Sequence, residues 1–269
     1  MKAMMALVIA AIAGLYLTAI PAFAGIAENW EFGAGLELIA AYNYHEYKLM
    51  RLDGSQFGAY GLARFFFREV NHLEPLSAEL FLSYVGGKIE YTGSRGDQPT
   101  KGDVGNSIFN LRALAGWTFA DINLFNISGF EVMPYSGLCY RYLVNHLEDL
   151  SGGGGYQREQ SYLYWPLGVG ASFPLPADER LKIGCKMEFD ILLYGAHHTS
   201  KGLERDFTQS SGYGFQFVPN IRYDFSEKFA MTVEMFWRYW SIGDSDTDQG
   251  YLEPENATSE FGFDVGVLF

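Results

Sequence analysis

Ten stretches of this chain place apolar residues at every second position. The most regular is 180–194, where Leu181, Ile183, Met187, Phe189, Ile191 and Leu193 alternate with Lys182, Lys186, Glu188 and Asp190. Period two puts one set on each face of a β-strand. The same alternation runs through 30–44, 57–68, 77–85, 107–119, 130–142, 161–173, 212–225, 229–240 and 260–269. The breaks between stretches carry Gly, Asp, Asn and Pro, the residues of turns. Stretches 86–105, 145–160, 195–209 and 241–258 read as long loops, so connections are long after odd strands and shorter after even ones. Gly152–Gly155 has no Lys-Ser or Lys-Thr after it and is a flexible loop, not a phosphate cradle.

The apolar faces have to be covered. The chain is 48% hydrophobic and 17% aromatic, and past residue 24 it holds no run of the ~20 apolar residues a spanning helix needs. Lipid accepts only helices or closed barrels, because every backbone polar group must be paired internally. The expected fold is therefore all-β: a transmembrane antiparallel up-and-down barrel of about ten strands over 25–269. Before it, Met1-Lys2, the apolar run Ala3–Ile20 and Pro21-Ala22-Phe23-Ala24 have the layout of a secretory signal peptide, 1–24, cleaved after Ala24.

Charge sharpens the picture. The chain carries 19 basic and 32 acidic residues, a net charge of −13, and −14 once Lys2 leaves with the leader. That balance excludes nucleic acid as a partner. Glu31, Glu37, Arg64, Arg68, Glu79, Arg112, Arg141, Lys182, Lys186, Glu188, Asp190, Arg222, Glu234, Arg238 and Asp264 fall on the inward faces, which predicts a lumen of paired charges. A barrel of this size is close to those that side chains fill. Alternation sets Cys139 inward and Cys185 toward lipid, so two free thiols are expected.

The stretch 260–269, with Phe261, Phe263, Val265, Val267 and a final Phe269, resembles the closing strand of bacterial outer-membrane β-barrels. The resemblance implies that Phe269 belongs to the signal read by the barrel assembly machinery of a Gram-negative bacterium. Tyr44-His45-Glu46-Tyr47, Ser161-Tyr162-Leu163-Tyr164 and Arg238-Tyr239-Trp240 are similar to motifs of small proteobacterial barrels. Membrane lipid and lipopolysaccharide are the partners such a barrel implies, and a monomer is the expected state.

Candidate chemistry is sparse. Asp244, Asp246, Asp248 and Glu255 stand at positions 1, 3, 5 and 12 of a calcium loop, giving possible Ca2+ binding at an extracellular loop. Gln249 replaces the glycine that loop needs at position 6, and the flanks read as strands. His197-His198, with Glu204 and Asp206 nearby, invites comparison with omptin-type outer-membrane proteases, which are similar in strand number and topology. No catalytic residue carries over, and exposed loop histidines are the plainer reading. A Ser-His-Asn constellation on the lipid face, as in phospholipase barrels, is missing. Trp30, Trp117, Tyr162, Trp165, Trp237 and Tyr239 read as aromatic girdles at the two membrane interfaces. The functional expectation is a non-enzymatic outer-membrane barrel with a structural, adhesive or surface-interaction role through its extracellular loops. The alternatives are a narrow porin-like channel and an omptin-like protease.

Overall fold

The computed structural model describes residues 29–46, 49–67, 76–95, 98–124, 127–150, 155–201, 204–248 and 250–269. The leader and Arg68 lie outside these residues. Ten antiparallel strands follow one another: β1 Trp30–Glu46, β2 Met50–Phe66, β3 Leu76–Arg95, β4 Gln98–Trp117 continued by Phe119–Leu124, and β5 Ile127–His146. Then come β6 Gln157–Leu175, β7 Asp178–Ser200, β8 in two pieces, Arg205–Gln209 and Gly212–Ser226, β9 Phe229–Ile242 and β10 Asn256–Leu268. Each strand pairs with the next in sequence, and β10 pairs with β1 from Gly33↔Leu268 to Glu46↔Asn256. Phe32 and Phe269 exchange two backbone hydrogen bonds of 2.8 and 2.9 Å at the end of that seam. A closed sheet of this kind leaves no unpaired edge.

The outer wall carries the apolar belt. Leu36, Leu38, Leu80, Leu82, Leu167, Met187, Phe189, Ile221, Phe263 and Val265 are all exposed on it. Trp165 and Trp237 lie outward as well, their indole N–H groups donating to Ser136 Oγ and Ser259 Oγ on the neighbouring strands. An exposed belt of this size with charged side chains turned inward is the pattern of a barrel solvated by lipid. The protein is built as an outer-membrane β-barrel. Its two-residue turns, Pro176-Ala177 and Glu227-Lys228, mark the periplasmic end by the convention of such barrels.

Several sequence expectations need correction. The stretch 86–105 is not a loop: β3 and β4 run on through it as a ladder to Arg95↔Gln98. Strands also fill most of 195–209 and the two ends of 145–160, so the contrast between odd and even connections is weaker than expected. Tyr42, expected outward, is buried inside, because a register shift between Ile39 and Ala41 turns the rest of β1 over. Tyr162 is likewise buried inside and belongs to no girdle. In β7 the register shifts again where Leu163 and Tyr164 of β6 meet Tyr194 and Leu192. Beyond that point His197 faces inward.

The interior has two halves. The extracellular half is an apolar core: Ile39, Leu52, Val85, Ile89, Val104, Ile108, Leu143, Leu192 and Phe236 pack together with Tyr42, Tyr44 and Tyr162. The periplasmic half is charged. Small residues let bulky ones cross it: a Cβ on Gly35 would stand 2.6 Å from the Tyr60 ring, which lies across the Gly35–Gly266 pair.

Candidate functional site

Period two and the register settle which charges meet in the lumen. Arg64 Nη1 donates to Glu31 at 2.7 Å and its Nη2 to Glu79 at 2.5 Å. Arg222 joins Glu31 at 2.7 Å and Asp224 at 2.7 Å, with Lys182 on the other Asp224 oxygen at 3.4 Å. Lys186 donates to Glu234 at 2.9 Å. Arg112 reaches Glu188 at 2.5 Å, and Gln216 bridges Glu188 and Asp190 at 2.8 and 3.2 Å. Arg238 holds Glu37 at 2.7 Å and lies 3.7 Å from Glu260 and 3.9 Å from Asp264. Arg141 pairs with the fully buried Glu260. Removing one member of such a pair strands the other charge, at a cost of about 3–5 kcal/mol. The network thus fixes strand register as well as filling space.

Between these pairs lies a cavity of about 80 Å³ in the periplasmic half, walled by Arg64, Glu79, Arg112, Lys186, Glu188, Glu234, Arg238 and Asp264, with Phe81, Met133 and Tyr135 on its apolar side. That is room for several waters.

A second cluster sits at the extracellular mouth. Tyr44 and Glu46 end β1, Arg158 and Gln160 begin β6, His197 ends β7, and Glu253 comes from the connection between β9 and β10. Arg158 is 1% exposed. Its Nη2 donates to Glu253 at 2.7 Å and also to Tyr44 Oη and Glu46. Tyr44 Oη in turn donates to Glu46 at 2.7 Å. His197 Nδ1 lies 2.9 Å from Glu253 Oε1. Above Tyr194 the outward neighbours on β7 are Ala196 and His198, so this cluster stands clear of the lipid belt. Burial, reinforced by the Arg158 charge, holds the His197 imidazole well below its usual value. Burial likewise raises the carboxyls of Glu46 and Glu253, Arg158 opposing it in both. Sequence reasoning names Glu46 only within the Tyr44–Tyr47 motif and does not single out Arg158 or Glu253. The one signal for Arg158 is that it and Gln160 continue the inward parity of Tyr162 and Tyr164.

The two histidines part company. His197 is buried, whereas the ring of His198 faces out and its Nδ1 sits 2.7 Å from Asp206 Oδ1. His197 thus neighbours Glu253 on the inside and His198 neighbours Asp206 on the outside. The acidic stretch is used for turn building: Asp244 Oδ1 accepts the Glu255 N–H at 2.7 Å, and Asp246 Oδ1 accepts the Thr208 N–H at 2.6 Å. Gly250, at φ 84°, turns the short pairing of Thr247-Asp248 with Tyr251-Leu252. The Asp248 side chain lies outside the described set. Among the described residues no three His, Cys, Asp or Glu side chains are placed to hold a metal ion. Cys139 and Cys185 are both free thiols, the first buried inside.

No protein-family model matches the chain, and no curated protein matches it by sequence. Among solved structures, it is similar to the translocator domain of the autotransporter NalP from Neisseria meningitidis, at 15% identity and a TM-score of 0.47, over 97% of this chain and 95% of that one. The transport unit of the autotransporter AIDA-I from Escherichia coli gives 11% identity and a TM-score of 0.46, over 94% and 97%. A major outer membrane protein from Thermus thermophilus gives 13% and 0.41, over 89% and 99%. The barrel stands on its own strand pairing, and these likenesses carry no argument about activity.

Proposed function

We propose that this protein is an integral barrel of the Gram-negative outer membrane, exported with cleavage after Ala24, whose closed lumen leaves its extracellular surface to act, in a structural or adhesive role. One observation carries this reading. The extracellular half of the lumen is packed with fully buried apolar side chains, among them Leu52, Val85, Val104, Ile108 and Phe236. A packed core at native density leaves no path for hydrated ions. Planar-bilayer recording of the refolded protein tests it. The expected result is no discrete conductance over a wide voltage range, with conductance gained when Leu52, Ile89 and Phe236 are together replaced by glycine. Discrete openings of the unaltered protein would refute closure.

The charged cavity of the periplasmic half favours a second reading, a narrow channel gated in its upper half. The same recording separates the two. The inward histidine, buried beside an arginine, does not favour a hydrolase.

A further inference from the structure

The cluster at the extracellular mouth has more donors than its acceptors use. Reading along the ladders, Asn106 faces Asn145, Asn145 faces Arg158, and Arg158 faces Thr199. Four adjacent strands thus carry an inward polar side chain at one height, all buried. Asn106 Nδ2, Arg158 Nε, Thr199 Oγ1 and, one step below, both ring nitrogens of His197, one of them an N–H, have no hydrogen-bond partner. The acceptors crowd instead on Arg158 Nη2, which serves Tyr44, Glu46 and Glu253 at once. Its Nη1 donates to the Met50 sulfur, at 3.2 Å. A guanidinium offers a planar fork matched to two carboxylate oxygens. Here Nε, on one edge of that fork, is buried without a partner.

Glu253 is the odd member of the cluster. The other residues ride on strands, while Glu253 arrives on a connection that is otherwise held by its own turn bonds and by the neighbouring β8. Ser245 N–H donates to Glu253 O, Glu253 N–H to Ser245 Oγ, and Asp246 N–H to Thr208 O. Those bonds shape the connection without using the pocket.

We infer that Arg158, His197 and Tyr44, with Asn106 and Thr199 beside them, form an extracellular carboxylate-binding site that Glu253 occupies as a tethered stand-in. The external ligand is a carboxylate presented from outside the cell, carried on a small organic acid or on an acidic sugar. A tethered carboxylate acts at an effective concentration on the order of millimolar, so a free one competes above that range. The inference deepens the surface role proposed above but does not depend on lumen closure: bilayer recording tests closure and leaves this site untouched.

The test is chemical rescue. Glu253→Ala should lower the midpoint of heat-induced unfolding, read by gel mobility. Acetate or glucuronate should restore it saturably, and chloride or phosphate at equal ionic strength should not. Adding Arg158→Met should abolish the response. Rescue by glucuronate assigns the sugar-borne source, and rescue by acetate alone assigns the small acid. A midpoint that no carboxylate raises overturns the site. Should Glu253→Ala fail to fold, the intact pocket decides. Gln160→Cys, in a Cys139→Ser, Cys185→Ser background with Glu253 kept, should react severalfold faster with an impermeant maleimide when either carboxylate is added. An unchanged rate with both overturns the site.

Discussion

Two neighbouring residues of β7 carry the whole barrel in miniature. Phe189 is 46% exposed on the outer wall, opposite Leu167 and Phe215 and stacked on Tyr213 with centroids 6.1 Å apart. Glu188 is buried in the lumen, taking Arg112 at 2.5 Å and Gln216 at 2.8 Å. Phe189→Arg puts a charge into lipid near mid-strand, at a cost of about 2–4 kcal/mol. Glu188→Arg adds no lipid penalty but leaves Arg112 buried beside a like charge, and breaking such a pair costs about 3–5 kcal/mol. The two losses are similar in size and differ in cure. Glu188→Arg should recover most of its stability when Arg112→Glu restores the pair with its signs exchanged. No lumen substitution should recover Phe189→Arg. Folding free energies from urea titration in lipid vesicles, followed by tryptophan fluorescence, give all the numbers needed. If Arg112→Glu leaves Glu188→Arg as unstable as before while Phe189→Arg folds like the parent, the strand is turned over. A slip of one residue exchanges the two faces.

Other outcomes follow from the packing. His197 is held neutral by burial, below its ordinary value of 6.5. As pH falls through that value the unfolded chain takes a proton that the folded chain refuses, so this group costs stability on acidification. Glu46 and Glu253, raised above 4.5, act in the opposite sense: the folded protein keeps protons the unfolded chain has released, and stability falls as pH rises through that window. His197→Gln should therefore leave a protein less sensitive to acid between neutrality and pH 5 than its parent, measured as unfolding midpoint against pH; an identical profile would remove the histidine from the argument. Gly35→Ala would drive a methyl to 2.3 Å from Val265 O and against Tyr60, costing about 1–3 kcal/mol by overpacking. Gly61→Ala, whose Cβ would find nothing nearer than 3.9 Å, is the matched control and should leave the midpoint where it was.

How far the sequence could be read depended on which solvent each face meets. Within the belt, alternation is apolar outward and charged inward, and all ten strands were legible there. Above the belt the sense inverts. Lys88 and Glu90 turn to water while Ile89 and Tyr91 turn into the core, so a chain scanned for lipid-facing runs loses the strand. The Gly-rich composition of 86–105 completed the misreading. Bulges are the other blind spot, because one extra residue reverses every later parity. Parity alone therefore puts Tyr42 and His197 on the wrong side of their bulges. The inward placement of Arg64, Arg112, Arg238 and their partners could be read from parity alone. Their pairing could not, since Arg238 finds Glu37 across 201 residues of chain. Glu253 gave no signal at all: it belongs to no alternating run.

Most of the side chains that fill the extracellular half stand on strands; of the described tips, the β5–β6 connection adds Leu147, Leu150 and Tyr156, and the β9–β10 connection adds Glu253. On the closed-lumen reading proposed above, barrier and display are separate duties for the other described tips. Such a tip can be lengthened, cut by a protease or replaced with a foreign peptide without opening a leak. A barrel plugged by an infolded loop has no such liberty, since every change at its surface is also a change to its stopper.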